Sequence, residues 1–582
     1  MKTRQTFNFK YKNEFIIFVL SSLLFMPFLG QVHLFDWDEI NFAECAREMI
    51  VSKDYLNVQI NFQPFWEKPP LFIWMQVLSM KLFGINEFAA RFPNAICGIF
   101  SLLIIYRIGK KLQNSSFGIL WVLAYAGSIL PSFYFRSGII DPWFNLFIFC
   151  SIYYFFQSYS KKFEKLWPSF FSGMFIGLAI LTKGPVALIL FGITIFIFSL
   201  FQLIKVDFQN RSLTFNKEQL ETFISKKLIA GVFIFLLAMS FFGGFWFLLQ
   251  IMNGSSTVVY DFIIYQIRLF QTEDAGHGGF FGYHFVVLFF GVLPASIFAI
   301  QNLISNNEEN AQSIPFRLMM VILFWVVLIL FSIVKTKIIH YSSLAYFPIT
   351  FLGALFISQM KSELEHWRKW FDWVFLFVGI LFIILFIAIR YVVTNANALS
   401  KAEFINDEFA KGNLQANVHW TGFEFLIGLI PLVIFLIIRL KYNRNLTGKS
   451  IVLFLGFTLF TSVLSFVIVP KIEGYSQRAA IDFYISKQEE DCYVTTFNFK
   501  SYAHLFYTRK KLPQNLNHFD NEWLLKGNVD KTVYVVSKIQ HATEFETQNP
   551  NFKKIKDSNG FVFYERIPEN LISSLKKCGE SN

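Results

Sequence analysis

Charge is what this chain has least of. Only 16% of its 582 residues are Asp, Glu, Lys or Arg, and 54% are hydrophobic. A soluble domain carries about 25% charged residues, so a water-soluble globular chain is excluded and a polytopic membrane protein is implied. Cysteine is scarce too, and the five present (Cys45, Cys97, Cys150, Cys492 and Cys578) have no metal-ligand spacing. Cys97 and Cys150 lie in apolar runs, where packing is the expected role. Cys492 and Cys578 share a polar tail in which a disulfide is chemically open. There is no internal repeat, no low-complexity tract and nothing that suggests nucleic acid. Between Phe25 and His33 no small-x-small cleavage site follows the first apolar run, so residues 1–31 read as a retained span and not as a signal peptide.

What is present is a series of apolar runs. A crossing helix needs roughly 20 mostly apolar residues. Thirteen segments qualify, at about 14–31, 90–106, 117–135, 142–159, 167–182, 185–204, 228–251, 283–303, 316–334, 338–358, 370–393, 420–440 and 450–470. The run from Leu71 to Phe83 is too short to cross and reads as an interfacial or re-entrant helix. With the N-terminus inside, Lys and Arg collect in alternate loops, for instance Arg107, Lys110 and Lys111, then Lys161, Lys162 and Lys165, then Arg439, Lys441, Arg444 and Lys449. That is the positive-inside pattern, and making 71–83 a span would invert it for every later loop. The expected fold class is therefore an α-helical polytopic protein of about 13 transmembrane helices, with the C-terminus outside.

Residues 1–470 form the expected membrane domain, including an outer loop over 32–89, and 471–582 a small soluble α/β domain. In that tail, Cys492 to Phe499, Thr532 to Ser537 and Phe561 to Arg566 alternate as strands do, and Ala479 to Ser486 and Glu522 to Lys526 read as helical. The tail holds 16 Lys and Arg against 14 Asp and Glu, so it supplies only +2 of the net +12. The basic excess lies in the cytoplasmic loops, opposite anionic membrane lipid.

The first outer loop is the densest polar stretch. Phe42, Ala43, Ala46, Met49 and Ile50 recur at helical spacing, with Asn41, Glu44, Arg47 and Glu48 on the other face, which predicts an amphipathic helix lying in the membrane interface with Asp38 at its start. Taken alone, Asp38 is as readily a helix cap as a catalytic group. Lys68 stands before Pro69 and Pro70, which fix where its side chain leaves the backbone. Asp141 precedes Pro142, so capping is again a strong alternative. Lys183 suits an interfacial snorkel. Lys335 and Lys337 join the ninth and tenth spans, with His340 and Tyr341 just beyond. The common side is the stronger signal: Asp38, Glu39, Lys68, Arg91, Arg136, Asp141, Lys183, Arg268, His277, Lys335 and Lys337 all map to the outer face. Cations there suit a phosphate; carboxylates suit a base or a divalent metal.

The order Asp38-Glu39, Ala43-Glu44, Ala46-Arg47-Glu48-Met49, Glu67-Lys68-Pro69, Leu82-Phe83-Gly84, Asn86-Glu87-Phe88 and Arg91 resembles the first periplasmic loop of aminoarabinose (lipid A) transferases. More broadly, it resembles the protein-mannosyltransferase-related GT-C glycosyltransferases. Asp141-Pro142, Thr182-Lys183-Gly184, Arg268-Leu269-Phe270 with His277, and Lys335-Thr336-Lys337 with Tyr341 continue the likeness over roughly residues 14–350. The resemblance implies a bacterial inner-membrane enzyme that moves a sugar, with inversion, from a polyprenyl-phosphate donor to a lipid, glycan or protein acceptor on the periplasmic side. It implies Asp38, with Glu39 beside it, and Asp141 as the catalytic carboxylates. Lys68, Arg91, Lys183, Arg268, His277, Lys335, Lys337 and Tyr341 become substrate-binding candidates. Asp38 and Asp141 are candidate ligands for a divalent metal, although no ligand set demands one. Where the family often reads Asp-Glu-x-Arg-Tyr-Ala-Glu, this chain has Asn41 and Phe42, so neither the sugar nor the acceptor follows. The rival class is a transporter or flippase of lipid-linked sugars. Such proteins place ionisable groups near the bilayer midplane, whereas here the polar residues gather in loops and turns.

Overall fold

The computed structural model describes residues 11–207, 212–216, 221–222, 225–271, 278–304, 314–360, 369–441, 446–512 and 514–568. It is a bundle of apolar helices carrying a small four-stranded sheet, a multi-pass membrane architecture. Every one of the thirteen apolar runs is helical over most of its described residues, but their lengths differ. Among the described residues, seven helices are long and apolar enough to cross a membrane, including Glu87–Leu112, Lys226–Met252 and Gly448–Ser476. Other runs are broken: residues 117–135 become Ser115–Ala126 and Ile129–Tyr134, and 283–303 become Tyr283–Gly291 and Ala295–Ile304. Leu71–Phe83 is helical over its whole apolar length.

Local chemistry places the helix ends. Asn86 accepts a hydrogen bond from the backbone N–H of Ala89 and so caps Glu87–Leu112, with Glu87 in its first turn and Lys110 and Lys111 in its last. Within that helix Asn94 is fully buried and donates to the carbonyls of Ser137 and Ile139, both at 2.6 Å. One side chain thus pins the turn that leads to Asp141. At the end of Trp167–Lys183, Gly184 takes φ +107, a conformation open to glycine at little cost, and a Cβ there would strike the Phe262 ring. This turn stops the helix directly after Lys183.

The C-terminal sheet runs in the order Cys492–Phe497, Thr532–Lys538, Phe561–Arg566, Lys553–Ser558. The first pair is parallel, with Cys492 opposite Thr532, and the other two are antiparallel. The helices Arg478–Ser486 and Asn521–Lys526 fall where the sequence predicts them. The edge strand Lys553–Ser558 does not announce itself. Its Lys553, Lys554 and Lys556 are exposed, the charged dressing by which edges resist pairing, and apolar alternation is correspondingly weak.

The amphipathic segment after Asp38 is covered differently from expectation. The helix Asp38–Ser52 does not lie with one face open: Glu39 through Met49 are all buried. Its polar face is covered by the C-terminal domain. Arg47 donates to both oxygens of Glu44 at 2.7 Å and to the Lys510 carbonyl, and the helix shares one hydrophobic cluster with Ala480, Tyr484 and Phe563. An apolar stripe is left open instead on the helix Ser256–Gln271, where Tyr260, Ile263, Ile264 and Ile267 are exposed. Their spacing of three and four residues is that of a helix resting on lipid. The suggested Cys492–Cys578 disulfide has one partner, Cys578, outside the described residues.

Candidate active site

The turns between helices converge on a cavity of about 440 Å³, lined by Asp38, Glu67, Lys68, Asp141, Lys183, His340, Tyr341 and Arg136 among others. Asp38 opens its helix, yet its carboxylate makes no capping bond. It faces the ring of His340 instead, Oδ2 to Nε2 at 3.2 Å. Asp141, likewise at a helix start and likewise not a cap, sets Oδ2 at 3.6 Å from the same nitrogen, and its Oδ1 accepts from Lys183 Nζ at 2.6 Å. The capping alternative fails for both, because each has a tertiary partner that outcompetes the local amides.

The result is a continuous row of polar groups, Asp38–His340–Asp141–Lys183. His340 is held by the short 3₁₀ turn Ile339–Ala345, where Ser343 bonds the His340 carbonyl and accepts from Asn145 at 2.7 Å. Lys183 also lies 4.8 Å over the Tyr341 ring. It is therefore not a snorkelling cation. Asp38 is the accessible member: its side chain is 30% exposed against 3% for Asp141. Burial pushes the Asp38 carboxyl up, but His340, with Lys68 and Lys183 behind it, more than offsets this and holds it below its ordinary value. Lys68 is pulled down, mainly by burial, against the raising effect of Glu67 and Asp38. Its ammonium lies 5.0 Å over the Tyr265 ring, and among the described residues it makes no ion pair. Arg268 contacts the same ring at 5.2 Å. Tyr265 in turn donates to Glu67 at 3.1 Å, so Ser256–Gln271 holds the Lys68 segment against the cavity.

Three sequence-level candidates are engaged elsewhere. Glu39 accepts two hydrogen bonds from Arg91, at 2.9 and 2.8 Å, and further ones from the backbone N–H groups of Phe35 and Gly138. Arg91 spends its remaining donors on the carbonyls of Leu29, Val32 and His33. The pair stitches the first loop to the helix Glu87–Leu112, and both members have their hydrogen bonds filled by the protein itself. Lys337 donates to the carbonyls of Phe331, Ser332 and Val334, which closes the end of Ile314–Ile333 and leaves no proton for a ligand. Lys335 is exposed and does not line the cavity. His277 lies outside the described residues. Sequence reasoning passed over His340 as a site residue; the signal was its place three residues after Lys337, at the head of a span that is otherwise almost free of charge.

The two aspartates do not fit a resident divalent metal. A lysine ammonium already sits on Asp141, an imidazole lies between the carboxylates, and no group of three or more His, Cys, Asp or Glu among the described residues is placed to hold an ion. The suggested metal site is not supported by this arrangement.

Comparison with known proteins finds relatives of the chain and a shared fold. Residues 67–213 match the family described as dolichyl-phosphate-mannose-protein mannosyltransferase. The undecaprenyl phosphate-alpha-4-amino-4-deoxy-L-arabinose arabinosyl transferase of Photorhabdus laumondii is 25% identical over 387 residues, 66% of this chain and 65% of the relative. That of Wigglesworthia glossinidia brevipalpis is 26% identical over 372 residues, 62% and 60% of the two chains. The chain thus matches less than two thirds of the length of these curated relatives. The crystal structure of ArnT from Cupriavidus metallidurans bound to undecaprenyl phosphate shares the fold, with a TM-score of 0.67 over 96% of this chain and 99% of that one at 17% identity. The same protein in the apo state gives 0.66.

Proposed function

We infer that the chain is an aminoarabinose-transferase-like GT-C enzyme that transfers a sugar from a polyprenyl-phosphate donor to an envelope acceptor at the periplasmic face of the inner membrane. The supporting observation is the placement of an ionised, accessible carboxylate, Asp38, in one cavity with Lys68 and Lys183. Undecaprenyl phosphate is the donor carrier named for the relatives, and it is the carrier proposed here. In this reading the N-terminus is cytoplasmic and the C-terminal domain periplasmic, covering the loop that bears Asp38.

The chemistry is a direct displacement. The acceptor hydroxyl gives its proton to Asp38 as its oxygen bonds to the anomeric carbon. The bond from that carbon to the phosphate oxygen breaks with inversion, and the polyprenyl phosphate leaves with the electron pair. Asp38 is suited to this because Oδ2 is held by His340 while Oδ1 makes no hydrogen bond among the described residues. Lys68 and Lys183 offset the charge that grows on the phosphate. Asp141 is a positioning residue: it holds Lys183 and His340. Tyr341 and Arg268 border the two lysines as further donor contacts.

Two results are expected. Lys68→Ala raises the apparent KM for the polyprenyl-phosphate donor about ten- to a hundredfold with a smaller change in kcat, since a charge-assisted hydrogen bond is worth ~1.5–3 kcal/mol; unchanged donor dependence removes Lys68 from phosphate binding. His340→Gln removes the group that chiefly holds Asp38 down. Because the Asp38 pKa then rises, and the carboxylate form is the active one, the acid limb of the pH–rate profile moves to higher pH. An acid limb that stays in place separates His340 from Asp38.

A further inference from the structure

The C-terminal sheet has two edges, and they are dressed in opposite ways. Lys553–Ser558 carries three exposed lysines. Cys492–Phe497, at the other end of the strand order, reads Cys-Tyr-Val-Thr-Thr-Phe, with no charge and no proline. β-Branched and aromatic residues of this kind favour pairing, and none of the usual devices that discourage a further strand is present within it. Its one ladder is to Thr532–Lys538. Among the described residues, no backbone group from Tyr493 to Thr496 bonds another backbone group outside that ladder.

This edge borders a groove of about 500 Å³, lined by every residue from Asp491 to Thr496 and also by Phe62, Leu512 and Phe519. Cys492 and Val494 belong to the core on one face of the sheet and Tyr493 to that on the other, so the groove follows the outer edge of the strand. Its walls are fixed by Lys510. The Lys510 ammonium donates to the carbonyls of Lys487 and Glu490 at 2.7 and 2.6 Å, and its own carbonyl accepts from Arg47 at 2.9 Å. Charge selects the occupant. Lys500, Lys510, Lys511 and Lys531 line the groove beside the carboxyl groups of Asp491 and Glu48. Asp491 is already paired with Lys531 at 2.6 Å. Burial, with Glu44 beside it, pushes the Glu48 carboxyl up and favours its neutral form. Lys500 and Lys511 are exposed and have no carboxylate partner among the described residues. The chain's own tail, residues 569–582, is a poor match, because Lys576 and Lys577 offset Glu569 and Glu580. Lys500 also lies 4.6 Å over the ring of Trp37, which lines the catalytic cavity, so the groove ends at that cavity's wall.

We propose that the edge strand Cys492–Phe497 is a docking site for an extended, acidic segment of a partner polypeptide, which adds to the sheet as a further strand. The ladder holds the segment by its main chain, and the groove lysines select its acidic side chains. Docking needs the sheet and not the catalytic cavity, so it stands whether or not sugar is transferred.

The probe is a fluorescent peptide of about eight residues, alternating Val and Thr with Asp at both ends, added to the full chain in lipid nanodiscs. Saturable binding by anisotropy is expected, with slowed amide exchange over Cys492–Phe497. Two further peptides carry N-methyl groups at alternate residues, one on each edge. The one methylated on the pairing edge binds at least about tenfold more weakly at unchanged charge, and the other binds as the parent does. The double variant Lys500→Glu with Lys511→Glu weakens the parent peptide by a similar factor at an unchanged thermal midpoint. The proposal is overturned by the absence of binding up to about 1 mM peptide, by equal binding of both methylated peptides, or by unchanged exchange over the strand. Tighter binding of tetragalacturonate than of the peptide overturns it in favour of an anionic-saccharide cleft. Binding only after residues 569–582 are removed makes the tail the occupant, and strand exchange that slows with protein concentration alone makes it a second copy; either result overturns the proposal.

Discussion

Asp38→Asn is expected to reduce sugar transfer by about 10²–10⁴-fold, the range over which a positioned general base contributes. The amide keeps the shape of the carboxylate and can still meet His340, so packing around the start of Asp38–Ser52 is preserved. What it cannot do is take a proton from a hydroxyl. The measurement is transfer from a radiolabelled polyprenyl-phosphate sugar in membranes, with protein level and thermal midpoint determined alongside. Loss of transfer at unchanged level and midpoint is the expected outcome; near-wild-type transfer would remove Asp38 as the base. Asp141→Asn makes a useful contrast. As it holds Lys183 and His340 and is only 3% exposed, its loss acts through two other residues.

The second large effect is on stability. Arg91→Ala takes one member from a buried ion pair whose side chains are 5% and 6% exposed. Breaking such a pair costs roughly 3–5 kcal/mol, because the partner is left charged without compensation. Three backbone carbonyls, those of Leu29, Val32 and His33, lose their donor as well. The expected result is a large drop in the thermal midpoint of the detergent-purified protein, and poor membrane yield. A midpoint like that of wild type would show that the stitch is dispensable. The pH dependence has a definite sign. Burial pushes the Glu39 carboxyl up, but Arg91 and the N–H groups of Phe35 and Gly138 bring it below its ordinary 4.5. Its contribution is therefore complete above pH 4.5 and is lost as pH falls through the lower folded value. In the variant the burial effect loses its main opponent, so the folded-state value of Glu39 rises and the destabilisation relative to wild type shrinks as pH falls and Glu39 takes up its proton.

The sequence was least able to distinguish among residues of one chemical type on one face. Glu39 and Asp38 are neighbours in the same polar stretch, and so are Lys335 and Lys337 in theirs. Only packing separates the carboxylate that faces the cavity from the one saturated by Arg91, or shows a lysine spent on three carbonyls. The same limit explains the helix Asp38–Ser52. A periodicity of polar and apolar residues says that two faces differ, not whether water, lipid or protein covers the polar one. Here the C-terminal domain covers it, and nothing local in the chain carries that information. Tyr507 makes the point with one contact: its hydroxyl accepts from the Leu34 N–H at 2.7 Å across 473 residues.

Other features needed no tertiary information. The shortage of charge and the apolar runs determine a multi-pass helical protein, because backbone groups in lipid must be satisfied within a helix. The sheet-forming tail is legible from alternation, except at its lysine-dressed edge. The grouping of Asp38, Lys68, Asp141 and Lys183 on one side of the membrane also follows from loop order alone. What only the tertiary structure decided is which of those groups meet. Elements 42 residues apart bring Lys183 to Asp141, and elements 199 and 302 residues apart bring His340 to Asp141 and Asp38. That choice belongs to helix packing, where small shifts in crossing and register determine whether two side chains bond or miss.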